Sequence, residues 1–299
     1  MKREATVRND GARAADRRRV WFITGASSGF GRSLAEAVAE HGDCLVATAR
    51  DTDDISDLVD AEPERVRALE LDVTDRAQVR AAIEEAVAAF GHIDVVVNNA
   101  GYGLFGALEE FPEEELRKQF ETNVFGVLNV TRTALPHLRR QHSGHLVQMS
   151  SLDGVAPIAA GESAYAATKF AVEGFSETLA NEVAHLGIKV TIVEPGPSRT
   201  DFAGRSPTTK SVENDDYDET VGKALDWFAH LHGTQPGDPD RVARAIIEAV
   251  EADEPPLHLA LGELALGTIR KKLEERSREL EAWEKLSAST DFDSARPSA

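Results

Sequence analysis

Tyr165 and Lys169 stand four residues apart in Tyr165-Ala166-Ala167-Thr168-Lys169, so a helix would carry both on one face. A phenol with a reference pKa of ~10 is poorly ionised at neutral pH, and a neighbouring ammonium stabilises its phenolate. Such a pair can pass a proton to or from a substrate oxygen. The same spacing occurs on solvated helix faces, where it does no chemistry. What distinguishes it here lies upstream: Ser150 and Ser151 follow an apolar run, and a serine hydroxyl can donate to a developing alkoxide. A second stretch, Thr24-Gly25-Ala26-Ser27-Ser28-Gly29-Phe30-Gly31, spaces its glycines G-x-x-x-G-x-G. Missing side chains let the backbone turn tightly and bring helix N-terminal amides against a pyrophosphate. An ordinary βα loop is the alternative unless a strand precedes and a helix follows.

Both motifs need a sheet edge to hold them. Apolar, β-branched runs at Val20 to Thr24, Cys44 to Ala49, Val66 to Leu71, Ile93 to Val97, His145 to Met149 and Lys189 to Val193 read as strands. Between them, Arg32 to His41, Arg76 to Phe90, Glu113 to Arg140 and Ala164 to His185 carry apolar residues at helical spacing. Strand and helix in alternation imply a doubly wound parallel β-sheet in a three-layer α/β/α Rossmann-type fold. Residues 198–240 break the pattern with Pro207 and the acidic run Glu213 to Glu219, and read either as a substrate loop or lid or as a surface loop without a role. Helical spacing resumes at Pro239 to Val250, and Leu264 to Leu286 reads as an amphipathic C-terminal helix. The expected organisation is a disordered tail over 1–19, one α/β domain over 20–262, and a helix and tail over 263–299.

The chain has 33 Lys plus Arg against 52 Asp plus Glu, a formal charge of −19 that repels nucleic acid and anionic lipid. Cys44 is the only cysteine, which forbids an intrachain disulfide and fits a reducing cytoplasm; in its apolar strand it reads as a small hydrophobe. No apolar run is long enough for a membrane span. Glu4, Asp10 and Asp16 argue against a transit peptide at the N-terminus. His137, His142 and His145 straddle a helix end, a turn and a strand, so no metal site is expected from them. Phe202, Tyr217, Trp227 and Phe228 face either a hydrophobic substrate or neighbouring helices.

Four ordered motifs sit at strand ends: the glycine-rich turn, Asp72-Val73, Asn98-Asn99-Ala100-Gly101 and Tyr165-x-x-x-Lys169, with Pro195-Gly196 closing the sixth strand. Together they resemble the short-chain dehydrogenase/reductase family over about residues 20 to 200. The resemblance implies a catalytic set of Asn123, Ser151, Tyr165 and Lys169, with Ser150 the alternate serine and Asn123 anchoring a proton relay from Lys169. The segment from Ser151 to Tyr165 is one residue longer than the family pattern.

The same resemblance places Gly25, Ser27, Ser28, Phe30 and Gly31 at the pyrophosphate of a nicotinamide dinucleotide, and Asp72 and Val73 beside its adenine. Asn99, Ala100 and Gly101 then line the cofactor, Tyr165 and Lys169 meet the nicotinamide ribose, and Pro195, Gly196, Ser198 and Thr200 form the carboxamide loop. Ala49 stands where an acid would accept from the ribose 2′-hydroxyl of NAD, and Arg50 follows it. A guanidinium suits a 2′-phosphate, so NADP(H) is favoured over NAD(H). Asp51, Asp53 and Asp54 oppose that phosphate, and a solvated strand-end arginine is the alternative.

The expected reaction is NADP(H)-dependent interconversion of an alcohol and a ketone or aldehyde on a small-molecule substrate. The rivals are an NAD(H)-dependent dehydrogenase and a non-enzymatic NADPH-binding regulatory protein, because a fold does not fix a function. Pairing through the long central helices would give a homodimer or homotetramer.

Overall fold

The computed structural model describes residues 18–202 and 215–292. Most of the expected N-terminal tail, part of the expected loop at 198–240 and the last residues of the C-terminal tail lie outside them. Strands Val20–Ile23 (β1), Cys44–Ala49 (β2), Val66–Glu70 (β3), Val95–Asn98 (β4), Gly144–Met149 (β5), Ile188–Pro195 (β6) and His258–Leu261 (β7) form one sheet. Its order is β3-β2-β1-β4-β5-β6-β7, and every pairing is parallel. Parallel strands need crossovers, which cover both faces, so the central strands are apolar throughout: all of β1 is buried.

The helices are Gly29–His41 (α1), Ser56–Ala61 (α2), Arg76–Phe90 (α3), Glu113–Phe120 (α4), Val127–Gln141 (α5), Ser163–Val183 (α6), Lys223–Leu231 (α7), Pro239–Glu251 (α8) and Glu263–Ala288 (α9). On one face, Leu34 and Val38 of α1, Leu58 of α2 and Ile246 of α8 pack on Trp21, Ile23 and Leu45. On the other, Ile83 of α3, Val130 and Leu138 of α5 and Leu179 of α6 pack on Phe22, Val46 and Leu146. Trp21 and Phe22 thus point to opposite layers, as strand periodicity demands. Helix ends are written locally. Asp75 accepts from the amides of Ala77 and Gln78 to start α3, and Asp238 does the same for Asp240 and Arg241 ahead of Pro239 in α8.

The alternation of strands and helices is the expected one, with element ends shifted by a few residues. Two features differ. β7 was not foreseen; it is four residues long and follows Pro255 and Pro256, and it pairs in parallel with β6. The expected continuous helix from Glu113 to Arg140 is interrupted by a π turn at Glu121–Gly126, which contains Asn123. The expected C-terminal helix is present, and most of its apolar face is uncovered among the described residues. Ala265 is buried, whereas Leu273, Leu280 and Trp283 are 57%, 72% and 63% exposed. Its outer turns therefore contribute little to folding, and a chain ending after Arg276 should unfold within about 2 °C of the full-length protein in a thermal scan. A large loss of Tm would contradict this.

Candidate active site

Strand order reverses between β1 and β4, so the carboxyl ends of these neighbours open a crevice between diverging crossovers. Thr24 ends β1 and locks the two turns together. Its Oγ1 donates to the Val97 carbonyl at 3.2 Å and accepts from the amides of Asn99 and Ala100 at 3.0 Å each. Asn99 Nδ2 returns the contact to the carbonyls of Thr24 and Gly25 at 2.9 and 3.0 Å. Gly25 has φ 68°, and a Cβ on it would press on the Ala100 main chain. A Cβ on Gly31 would collide with Asn99 Nδ2 and the Gly25 carbonyl. These glycines are fixed by close approach of main chains. α1 then begins without a side-chain cap and without an acidic residue in its first turn, which leaves its N-terminal dipole suited to an anion.

A cleft of about 1290 Å³ runs along this edge. Gly25, Ser27, Ser28 and Phe30 line it at one end, with Arg50, Asp72 and Val73 beyond the ends of β2 and β3. Asn99, Ala100 and Gly101 form its floor, and Pro195, Gly196, Ser198 and Thr200 border it after β6. Ser151, Tyr165 and Lys169 stand together in its wall. Gly31 and Asn123 are not part of that lining. Gly31 lies beneath the turn. Asn123 is 1% exposed, accepts from the Tyr102 amide at 3.0 Å, and donates to the Tyr102 carbonyl and Thr168 Oγ1 at 2.8 and 3.1 Å. Its side chain is thereby spent on tying the loop after β4 to α6. Any relay through this residue would have to use its main chain, and a π turn re-aims main-chain carbonyls at functional sites.

Tyr165 is buried in the wall of the cleft beside Ser151, whose side chain lowers the phenol's pKa against the larger effect of burial. Ser151 Oγ donates to Asp153 Oδ2 at 3.3 Å and accepts from the Asp153 amide at 3.1 Å. The Ser150 hydroxyl is buried without a hydrogen-bond partner, and of the two serines it is Ser151 that acts on the Tyr165 phenol. Phe105 and Phe202 flank the Tyr165 ring at 5.9 and 5.3 Å between centroids, and Phe228 lies 5.2 Å from Phe105. Phe202 and Phe228 were legible as candidates. Phe105 was not, because it belongs to the irregular segment after β4.

The electrostatics depart from the expectation that Lys169 draws Tyr165 toward neutral pH. Lys169 Nζ donates to the Met149 carbonyl at 2.7 Å and sits 5.6 Å from the Tyr165 ring centroid. Burial, then the charge of Asp153, holds the Tyr165 phenol above its ordinary range. Burial pulls Lys169 down to about 8, opposed by Glu173 and Asp153. Asp153 and Glu162, side by side in the same wall, are both pushed up, by burial first. Glu162 Oε2 accepts from the amides of Ile158 and Ala159 at 3.2 and 2.9 Å, which fixes the Ser151–Tyr165 segment. Among the histidines, Arg140 lies against His137, and His145 Nε2 is 2.9 Å from Thr191 Oγ1. Burial lowers His145 to about 4.

A sequence profile of the family described as short chain dehydrogenase matches residues 19–211. Oxidoreductase BOA17 of Botryotinia fuckeliana is 42% identical over 270 residues, which cover 90% of this chain and 98% of that one. The crystal structure of a short-chain dehydrogenase from Streptomyces avermitilis superimposes with a TM-score of 0.85 at 46% identity, covering 92% of this chain and 100% of the other. A short-chain dehydrogenase/reductase from Burkholderia phymatum, solved in complex with NAD, gives a TM-score of 0.77 at 27% identity over 88% and 95% of the two chains.

A buried cation whose pKa falls from 10.5 to about 8 on folding binds its proton more weakly in the folded state. The stability cost is therefore fully present below about pH 8 and is relieved as pH rises from there toward 10.5. Lys169→Met should raise the unfolding free energy at pH 7 by about 1–3 kcal/mol in urea titrations, and the gain should shrink by pH 10. A destabilised variant at pH 7 would contradict this reading of the site.

Proposed function

The chain belongs to the short-chain dehydrogenase/reductase family and is an oxidoreductase; from that premise we propose that it interconverts an alcohol and a ketone or aldehyde with NADP(H). The observation that carries the proposal is the placing of Ser151, Tyr165 and Lys169 together in the wall of a cleft whose other end is the uncapped start of α1. A nicotinamide dinucleotide, when bound, supplies or accepts the hydride. Its fit is supported by the glycine cradle at Gly25 and Gly31, which no Cβ could enter, and by the absence of a carboxylate in the first turn of α1. Ser27, Ser28 and Phe30 would border the pyrophosphate, Asp72, Val73, Asn99, Ala100 and Gly101 the adenosine half, and Ser198 and Thr200 the carboxamide.

In this reading Tyr165 holds the proton that goes to the substrate oxygen in reduction and receives it in oxidation. Ser151 orients that oxygen and stabilises the developing charge. Lys169 supports the phenolate and the ribose, and Asn123 keeps the relay in register by holding Thr168 and Tyr102. Phe105, Phe202 and Phe228 give the reacting carbon an apolar surround and exclude water, which favours a substrate with an apolar group beside its carbonyl. The segment at 198–240 serves as the substrate loop of a domain spanning 20–262, with 263–299 as an appendage.

NADP(H) is supported by Arg50, which is exposed at the end of β2, lines the cleft and has no ion-pair partner among the described residues. A second reading, NAD(H), is favoured by the Burkholderia relative that holds NAD. Exposed Phe125 and Phe170, beside α5 and on α6, support pairing of two copies through the central helices. The lone Cys44 supports a reducing cytoplasm.

The test is a panel of apolar ketones and aldehydes with NADPH and NADH. We expect turnover with a kcat/KM at least about tenfold higher for NADPH, and a fall of at least about 1000-fold in Tyr165→Phe with cofactor binding retained in a fluorescence titration. A clear NADH preference would select the second reading. Substantial activity in Tyr165→Phe would refute the assigned proton donor, and cofactor binding without turnover across the panel would indicate a sensor.

A further inference from the structure

One turn beyond Lys169, α6 presents Glu173 and then Glu177 on the same face, four residues apart. Two carboxylates at that spacing repel, and here the first is only 6% exposed. Neither Glu173 oxygen has a hydrogen-bond partner, and the Ser150 hydroxyl lies against the group without completing a hydrogen bond. A third carboxylate, Glu194 of β6, is 3% exposed in the same place. Facing all three is His258 of β7. Its Nδ1 lies 2.8 Å from Glu194 Oε1 and 3.6 Å from Glu173 Oε2, and its Nε2 lies 3.7 Å from Glu177 Oε1. One imidazole cannot neutralise three carboxylates, two of them buried.

We propose that Glu173, Glu177 and His258 form a site for a divalent transition-metal ion that clamps β7 to α6, with Glu194 orienting the imidazole. One ligand atom from each of the three residues lies within 4.8 Å of the others. Ligands on one zinc ion stand about 3.3–3.5 Å apart, given metal–ligand bonds of about 2.0–2.2 Å. Glu177 is at the surface and can close that difference by rotation of its own side chain, and the His258 ring by a small pivot about its Glu194 contact, while Glu173 is fixed by burial. The 2.8 Å contact has Nδ1–H donating to Glu194, which leaves the Nε2 lone pair for the ion; a carboxylate behind a ligating histidine is the usual way such a ring is held. Imidazole with carboxylates suits Zn²⁺ better than Mg²⁺, which prefers oxygen ligands alone. Because β7 is the edge strand and α9 follows it directly, an ion here would fasten the last part of the sheet to the helix that carries Tyr165 and Lys169. This site does not depend on the proposed reaction.

The experiment uses tag-free, chelator-treated full-length protein, titrated with Zn²⁺ alone by calorimetry and followed by thermal scans, with Mg²⁺ as the contrast. We expect one equivalent of Zn²⁺ to bind, a higher Tm when it does, and binding weakened at least about tenfold by His258→Ala and by Glu177→Gln. Both replacements are at the surface, so circular dichroism should show intact folds, and His137→Ala should leave binding unchanged. No saturable Zn²⁺ binding, or binding that both variants retain at wild-type strength, would overturn the proposal.

Discussion

The hydroxyl of Thr24 joins the ends of two neighbouring strands whose following crossovers lead to opposite halves of the sheet. It donates to one carbonyl of β4 and accepts from the two amides that follow that strand. Everything the cleft contains is referenced to this junction. The turn after β1 can approach a phosphate only if its main chain is held against the turn after β4, and the glycines at 25 and 31 are the residues that permit that closeness. The same junction fixes the floor formed by Asn99 to Gly101, beyond which the chain runs to Tyr102 and Phe105 and so to the surroundings of Tyr165. Cofactor end and reacting end are therefore two ends of one rigid edge.

Along that edge the protein accepts burial of charge. Lys169 has a single good acceptor, a main-chain carbonyl, and Asp153 and Glu162 share a wall with few cations near them. A core chosen for stability would replace such groups with apolar ones. Their retention beside a buried phenol and a serine in one cleft wall fits a site that must move a proton in a dry environment. The phenol itself is held above its ordinary range by its surroundings. It is thus kept protonated, which is the form a reduction consumes.

Much of this was legible in the residues. The fold followed from strands that read as continuous apolar runs, Val95-Val96-Val97 above all, because parallel strands covered on both faces leave no polar side to obscure the signal. The glycine turn and Tyr165-x-x-x-Lys169 were legible because main-chain approach and helix spacing are local facts. What was hidden depends on distant partners. β7 is short and begins with an exposed histidine, so only its pairing with β6 makes it a strand. The π turn holds Asn123 to Tyr102 and Thr168, neither adjacent in sequence. The apolar residues of α9 gave the helix but not its surroundings, since periodicity reports a face and not what covers it.

The central claim is that hydride passes directly between the cofactor and a carbonyl carbon held beside Tyr165. It is tested most directly by turning over an apolar ketone with NADPH carrying deuterium at the transferable C4 position, in ordinary water. The account predicts one deuterium per product alcohol, bound to the carbinol carbon and of a single facial configuration, as read by mass spectrometry and NMR. Product free of carbon-bound deuterium would contradict it.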